Sequence, residues 1–428
     1  MTYYTDRMVL VRDSIENIDL FRLMGEKIRR YHFDKKNLSN TEIDITNEVY
    51  KEYDVYIDQD DTIYLIYQNK DLDLILLILK EGKVEKIKLT EESLPEVYYL
   101  NLIVEEGAPH VFYFILESEK ERSYRIYHHY AEEDKWITNI VDHVRVREYL
   151  NPMSIYTGER EILLAYYDYV DEEHIFLKKF NLDYKSWNER KQLTENSFNK
   201  LYIDLLYHNY KLHLVYCQYE EGNLQVKYER YKYDRDYMEK ECEEEISNLE
   251  SPQDPTLIYF DDRLWIIWIE RDSVLSRFSE DGGDTWSSIY LWRDSKRHNI
   301  VRYKYLSVHE DDKAILNYSF GKFSTNLSFI GFGPLKNTEI VPLKKKEPFK
   351  ATQGLAKNKD MIEDLMAELE KIYGTIEKLN KRILKLEETV KSIDDCKSDI
   401  INTQKRIADI EEYLTIRSRG YFRRFIGK

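Results

Sequence analysis

The chain has 428 residues with 64 Lys+Arg against 80 Asp+Glu, a formal net charge of −16, and this acidity argues against a nucleic-acid-binding role for its body. With 42% hydrophobic residues it can bury a large core, and its length admits one big domain plus an appendage. Aromatics reach 14%, led by 37 tyrosines, whose flat amphipathic rings suit the half-buried face of a sheet.

The opening MTYYTDRMVLVRDS has no cationic segment followed by an apolar one, so no secretory leader is expected. No run of about 18 apolar residues exists to span a membrane. Cys217, Cys242 and Cys396 are odd in number and far apart, and match neither zinc spacing nor a disulfide framework. A reducing, cytoplasmic setting is therefore expected. Residues 6–34 read like residues 61–89 without the strand that should precede them.

From there a rhythm of about fifty residues takes over. The stretches 56–67, 102–114, 154–167, 205–216, 257–268 and 307–318 each give an apolar strand, a short acidic or Gly/Asn turn, and a second alternating strand. Tyr64, Tyr113, Leu164, Leu214, Ile266 and Leu316 occupy equivalent places. A second hairpin follows the first in each unit, and Trp136, Trp187 and Trp286 open its outgoing strand, with Tyr237 in the same slot of YKYDRDYMEKE. Four strands per unit at this period describe the blade of a β-propeller. Six full units and the partial one at the N-terminus suggest seven blades, with six as the alternative if the N-terminal strands only close the ring. NTEIVPLKKKEPFKA (337–351) is the expected source of the missing innermost strand.

Two polar stretches within the repeats are read as structural. DQDD (58–61) lacks the glycine and distal glutamate of a calcium loop and recurs as Asp261–Asp262 and Asp311–Asp312, so it is a hairpin turn. In YHHY (127–130), His128 and His129 point to opposite faces of a strand and cannot share a metal. No P-loop, dinucleotide fingerprint or H-E-x-x-H occurs, and no cofactor or metal site is expected.

The stretch RFSEDGGDTWSSIYLW (277–292) is the most specific motif. Its centre, SEDGGDTW, resembles the Asp-box (BNR repeat) of sialidase-like propellers, Ser/Thr-x-Asp-x-Gly-x-Thr-Trp, at Ser279, Asp281, Gly283, Thr285 and Trp286. Chemically it is a turn. Asp281 and Ser279 can bond local backbone groups, Gly283 permits a positive φ, and Trp286 offers a large apolar face. The resemblance implies a structural role on the rim, away from any active site. The arginine triad, Tyr–Glu pair and Arg-Ile-Pro motif of sialidases do not carry over, since FRLMG (21–25) offers Arg22 without the following Ile-Pro. No catalytic residue is assigned.

After KKKEPFK the period changes to seven. Ile362, Leu369, Ile376, Ile383 and Val390 fall on a positions, and Leu365, Ile372, Leu379, Leu386 and Ile393 begin an unbroken row of d positions that runs to Leu414. This predicts a coiled coil about 80 Å long at 1.5 Å per residue. Such a helix would not remain stable alone, so self-association as a dimer or trimer is expected, with isoleucine at both core positions favouring more than two strands and a helix folded back on the propeller as the alternative. The terminal TIRSRGYFRRFIGK contrasts with the acidic body: Tyr421, Phe422, Arg423, Arg424 and Phe425 suit a protein groove or an anionic membrane surface, making the chain peripheral. Deleting 420–428 is expected to abolish localisation and leave the propeller folded, checked by imaging a tagged chain; unchanged localisation excludes docking.

The sequence thus predicts an all-β propeller of six or seven four-stranded antiparallel blades over 1–345, a linker at 346–360, a coiled coil at 361–416 and a basic–aromatic tail at 417–428. The expected function is non-enzymatic. Oligomeric heads recognise a protein or glycan, the stalk gives avidity, and the tail anchors the assembly. A divergent sialidase-like glycoside hydrolase and a structural fibre or coat component are the alternatives.

Overall fold

The computed structural model describes residues 7–344 apart from 133–134, 159, 221, 235–236, 298 and 323–327. The expected linker, coiled coil and tail lie outside the described residues.

Alternating apolar residues make each strand two-faced, and short turns fold successive strands into antiparallel sheets. Several first-hairpin turns carry two consecutive positive-φ residues, as at Asn209–Tyr210 and Asp261–Asp262, which matches the twist of the flanking strands. The result is an all-β, multi-sheet, propeller-like fold. Five of its sheets follow chain order: the second (Val49–Ile57 to Lys83–Lys88), third (Val97–Glu105 to Lys135–Arg145), fourth (Ser154–Gly158 to Lys191–Gln192), fifth (Lys200–His208 to Tyr237–Glu245) and sixth (Gln253–Phe260 to Ile289–Trp292).

The remaining sheet joins both ends of this region. Met8–Arg12, Ile18–Met24, Lys27–Asp34 and Ser39–Thr46 run antiparallel. Met8–Arg12 also pairs in parallel with Ile300–Ser307, which continues into Tyr318–Lys322 and Ser328–Ile330. Counted by hydrogen-bonded sheets among the described residues there are six units. Counted by hydrophobic cores there are seven. The difference is this joint sheet, whose two halves pack against each other. Val9 and Val11 face the second sheet, while Met8 and Leu10 on the opposite face meet Val301, Tyr303 and Tyr305.

Three sequence expectations need correction here. The partner of Met8–Arg12 is Ile300–Ser307 and not the 337–351 segment, whose Thr338–Val341 instead lines the outer edge of the sixth sheet against Ile289–Trp292. Ile315–Leu316 does not return along its own unit but pairs with Ile258 and Tyr259 of the sixth sheet, and the return along Ile300–Ser307 begins only at Tyr318. Tyr237 does not share the tryptophan slot. Trp136, Trp187 and Trp286 each pack on the core shared with the preceding unit. In the fifth sheet Met238 does so, leaving Tyr237 exposed with its hydroxyl donating to Glu239.

Among the described residues there is no helix long and apolar enough to cross a membrane.

Candidate functional site

Three inner strands are apolar but interrupted by charge: Asp54 in VYKEYDVYI, Asp204 in KLYIDLLYH, Arg302 and Lys304 in IVRYKYLS. A buried charge persists only where partners meet it, and here successive innermost strands supply them. Asp54 Oδ2 accepts the Leu102 amide at 2.7 Å, one unit onward. Asp204 Oδ2 likewise accepts the Leu257 amide at 2.9 Å. Its Oδ1 takes Asn317 Nδ2 and the Leu205 amide, each at 3.0 Å. Glu52 accepts the Leu100 amide and pairs with Arg7. These carboxylates therefore tie one unit to the next.

Three cations converge on the same region. Lys304 Nζ donates to Asp54 Oδ2 and to the Leu102 carbonyl. Arg302 lies 3.8 Å from the Tyr318 ring centroid, 3.9 Å from Asp254 and within 3.5 Å of Thr256 Oγ1. Arg7 reaches Glu52 and the Leu100 carbonyl. β-Bulges interrupt the inner strands. Tyr99, Tyr202 and Asp254 adopt φ of 52°, 59° and 50° where the inner-strand register slips, and a bulge re-aims the side chains around it.

Electrostatics follow burial. Desolvation pushes the Asp204 carboxyl up against its hydrogen bonds to Asn317 and Leu257 and the field of Arg302. It pushes Asp254 up against Arg302 alone. Burial lowers the Lys304 ammonium, and Asp54 opposes that shift.

Beside this cluster lies a cavity of about 150 Å³ lined by Tyr56, Asn101, Ser154, Tyr156, Asn317 and Tyr318, among others, with Lys304 also on its wall. Three buried polar atoms in this region have no partner: Ser154 Oγ, Asp54 Oδ1 and Arg302 Nε. The cavity is below the ≈ 300–1,000 Å³ usual for a drug-sized ligand, so it suits one terminal group of something larger. Among the described residues no group of His, Cys, Asp and Glu is arranged to hold a metal ion.

The 279–286 turn is elsewhere, between the third and fourth strands of the sixth sheet. Asp281 Oδ1 accepts the Asp284 and Thr285 amides at 3.0 and 2.8 Å and the Ser279 hydroxyl at 2.7 Å, while Oδ2 accepts the Thr285 hydroxyl at 2.6 Å. Those donors, the Ser279 and Thr285 hydroxyls first, hold the Asp281 carboxyl well below the usual carboxylate range. Gly283 donates to Ser279 Oγ at 2.7 Å with φ of 97°, and a Cβ there would lie 2.1 Å from the Tyr228 hydroxyl. Trp286 meets the Tyr228 ring edge-on at 4.9 Å. Arg230 of the fifth sheet ties down the turn through the Gly282 carbonyl at 3.0 Å and Asp284 at 2.7 Å. The turn thus grips the fifth sheet and contributes nothing to the inner strands. The coiled-coil positions from Ile362 to Ile393 and the tail residues Tyr421–Phe425 lie outside the described residues.

No protein-family model and no curated protein matches the sequence. The fold is similar to solved structures at low identity. The six-bladed fucose-recognising lectin of Aleuria aurantia is 12% identical with a TM-score of 0.41, over 67% of this chain and 95% of that one. A PL25 ulvan lyase is 9% identical with a TM-score of 0.48, over 80% and 95%. AofleA from Arthrobotrys oligospora is 12% identical with a TM-score of 0.38, over 56% and 74%.

Sequence reasoning missed the inner-strand charges. The available signal was a charged residue breaking the apolar strand ahead of a repeat's turn, as Asp54 and Asp204 do. What it lacked was the partner, since Lys304 lies 250 residues from Asp54 in the chain.

Proposed function

We propose that the protein is a non-enzymatic recognition propeller that grips the terminal group of a glycan or protein in the inner-strand cavity. The observation that carries this reading is the commitment of the inner-strand carboxylates to structural bonds between units. Glycoside hydrolysis needs a pair of carboxyl groups free to exchange protons or attack. Here Glu52 and Asp54 each hold an amide and a cation, and Asp204 holds two amides and the Asn317 side chain. Polar atoms such as Ser154 Oγ, by contrast, await a partner. The heptads from Ile362 multiply the heads and raise avidity, and the tail anchors the assembly.

One experiment tests these parts together, using the full chain on glycan and peptide panels. Ser154→Ala is expected to weaken binding about tenfold, the worth of one hydrogen bond, with unfolding unchanged. Ile376→Lys with Leu379→Lys should reduce the solution mass to that of a monomer. Apparent affinity on a dense surface should then fall by on the order of 10²–10⁴ with single-site affinity retained. Unchanged binding in the first variant removes the cavity from the reading, and unchanged mass in the second removes the stalk.

A second reading, a divergent glycoside hydrolase, is favoured by Asp254. Its carboxyl is raised by burial and is met by Arg302 no closer than 3.9 Å. Turnover of aryl glycosides that disappears in Asp254→Asn would replace the binding reading with this one.

A further inference from the structure

A second cavity lies between the fourth and fifth sheets, apart from the inner-strand cluster. It has a volume of about 340 Å³ and is lined by Arg147, Tyr149, Asn151, Glu173, Asn199 and Tyr219, among others, which puts it within the range of small-molecule sites. Its composition is specific. Glu173 is 6% exposed, yet its carboxylate is lightly committed. Oε2 accepts the Lys200 amide at 3.1 Å and Oε1 lies 3.4 Å from Asn151 Nδ2. A carboxylate has about four acceptor sites, so capacity remains. The adjacent Lys200 ammonium does not fill it. That group instead donates to the carbonyls of Glu173, Asn196 and Phe198 at 2.9, 3.0 and 2.7 Å.

The opposite polarity stands at the rim. Arg147 donates to Asn199 Oδ1 and has further N–H groups in its five-donor fork. Two tyrosines flank these groups with large exposed faces, Tyr149 at 72% and Tyr219 at 47% exposure. Exposed aromatics beside a polar floor offer an apolar surface with hydrogen bonding next to it.

Charge narrows the ligand class. A cationic ligand would meet Arg147, and an anionic one would meet Glu173 and its neighbour Glu148, which also lines the cavity. A neutral polyol meets neither penalty. Its adjacent hydroxyls can donate to Glu173 and accept from Arg147 or Asn151, while the C–H face of its ring lies on tyrosine. We infer that the cleft between the fourth and fifth sheets, built by Glu173, Arg147, Asn151, Tyr149 and Tyr219, is a binding site for an uncharged saccharide. This rests on the recognition reading of the propeller but not on the inner-strand cavity.

The test uses the full chain against a glycan panel containing neutral, sialylated and sulfated members, followed by titration of the best free neutral saccharide. Tyr149→Ala and Tyr219→Ala remove exposed side chains, so both variants are expected to unfold as the parent does. Each should weaken that saccharide at least tenfold, and Glu173→Gln should weaken it further. Neutral saccharide binding that survives both tyrosine variants overturns this inference and leaves the recognition reading intact. Absence of any neutral saccharide binding, or binding confined to charged members, also overturns it.

Discussion

Lys304→Met is expected to destabilise the protein by about 3–5 kcal/mol, because removing one partner of a buried ion pair leaves the other charge uncompensated. Asp54 is the charge left behind: its side chain is 1% exposed and its Oδ1 already lacks a partner. The Leu102 amide remains on Oδ2, and the field of Arg7 also falls on Asp54, so the loss should fall toward the lower end of that range. Methionine keeps the length of the lysine stem, which separates loss of charge from loss of packing. The measurement is the urea midpoint of Lys304→Met, Asp54→Asn and the double variant. The double variant should recover most of the loss, with an interaction energy of about 1–3 kcal/mol. A single-variant loss below about 1 kcal/mol, additive in the double, would show that the pair does not hold the first and last strands to the second sheet.

Acid should unfold the protein well before its carboxylates alone would. His110, His128, His129 and His213 are buried. Desolvation pushes the imidazoles of His110 and His213 down to about 3 and that of His129 to about 4, and pushes His128 down as well. The sign follows from linkage. An unfolded histidine protonates near 6.5, whereas these remain neutral in the folded state. Below that value the unfolded chain binds protons that the native state refuses, so stability is fully present above about pH 6.5 and declines as the pH falls. Each such histidine contributes a slope of up to about 1.4 kcal/mol per pH unit. Buried carboxyls raised by desolvation, among them Glu105, Asp204 and Asp254, act in the opposite direction and soften the total. Urea midpoints at pH 7, 6 and 5 read the slope directly. His110 and His128 hydrogen-bond each other at 2.9 Å, and His128 stacks on Phe112 at 4.4 Å against Phe180 and Trp187. Replacing both with Phe should therefore roughly halve the contribution of these four histidines. A slope that is unchanged in that variant would assign the acid sensitivity to other groups.

Most of the architecture was legible because it is repetitive. Tyr64, Tyr113, Leu164, Leu214 and Ile266, aligned by their spacing of about fifty residues, all sit in the second strand of their sheets. What the pattern could not reveal was the seam. Leu316 has the same local sequence character, yet it pairs with the preceding sheet, and the strand that returns along Ile300–Ser307 is Tyr318–Lys322. Tyr237 illustrates a related limit: turn and aromatic matched the tryptophan slot, but Met238 fills the core. The candidate sites were less legible than the fold. Asp54 and Lys304 are unremarkable apart, and Glu173 resembles any hairpin glutamate until Lys200 and Asn151 surround it. Local periodicity encodes which face of a strand is buried; it carries no record of which distant strand arrives alongside.

The parallel pairing of Met8–Arg12 with Ile300–Ser307 also sets a schedule for biosynthesis. The first strand leaves the ribosome about 290 residues before its neighbour, an interval of about 15–60 s at usual elongation rates. Throughout that time Met8 and Leu10, apolar on the face that Val301 and Tyr303 will cover, border an open strand edge able to pair with another nascent chain. Crowded polysomes are thus the setting in which this protein is most exposed to misassembly, and a holdase acting on its first fifty residues would protect it more than one acting on the finished ring.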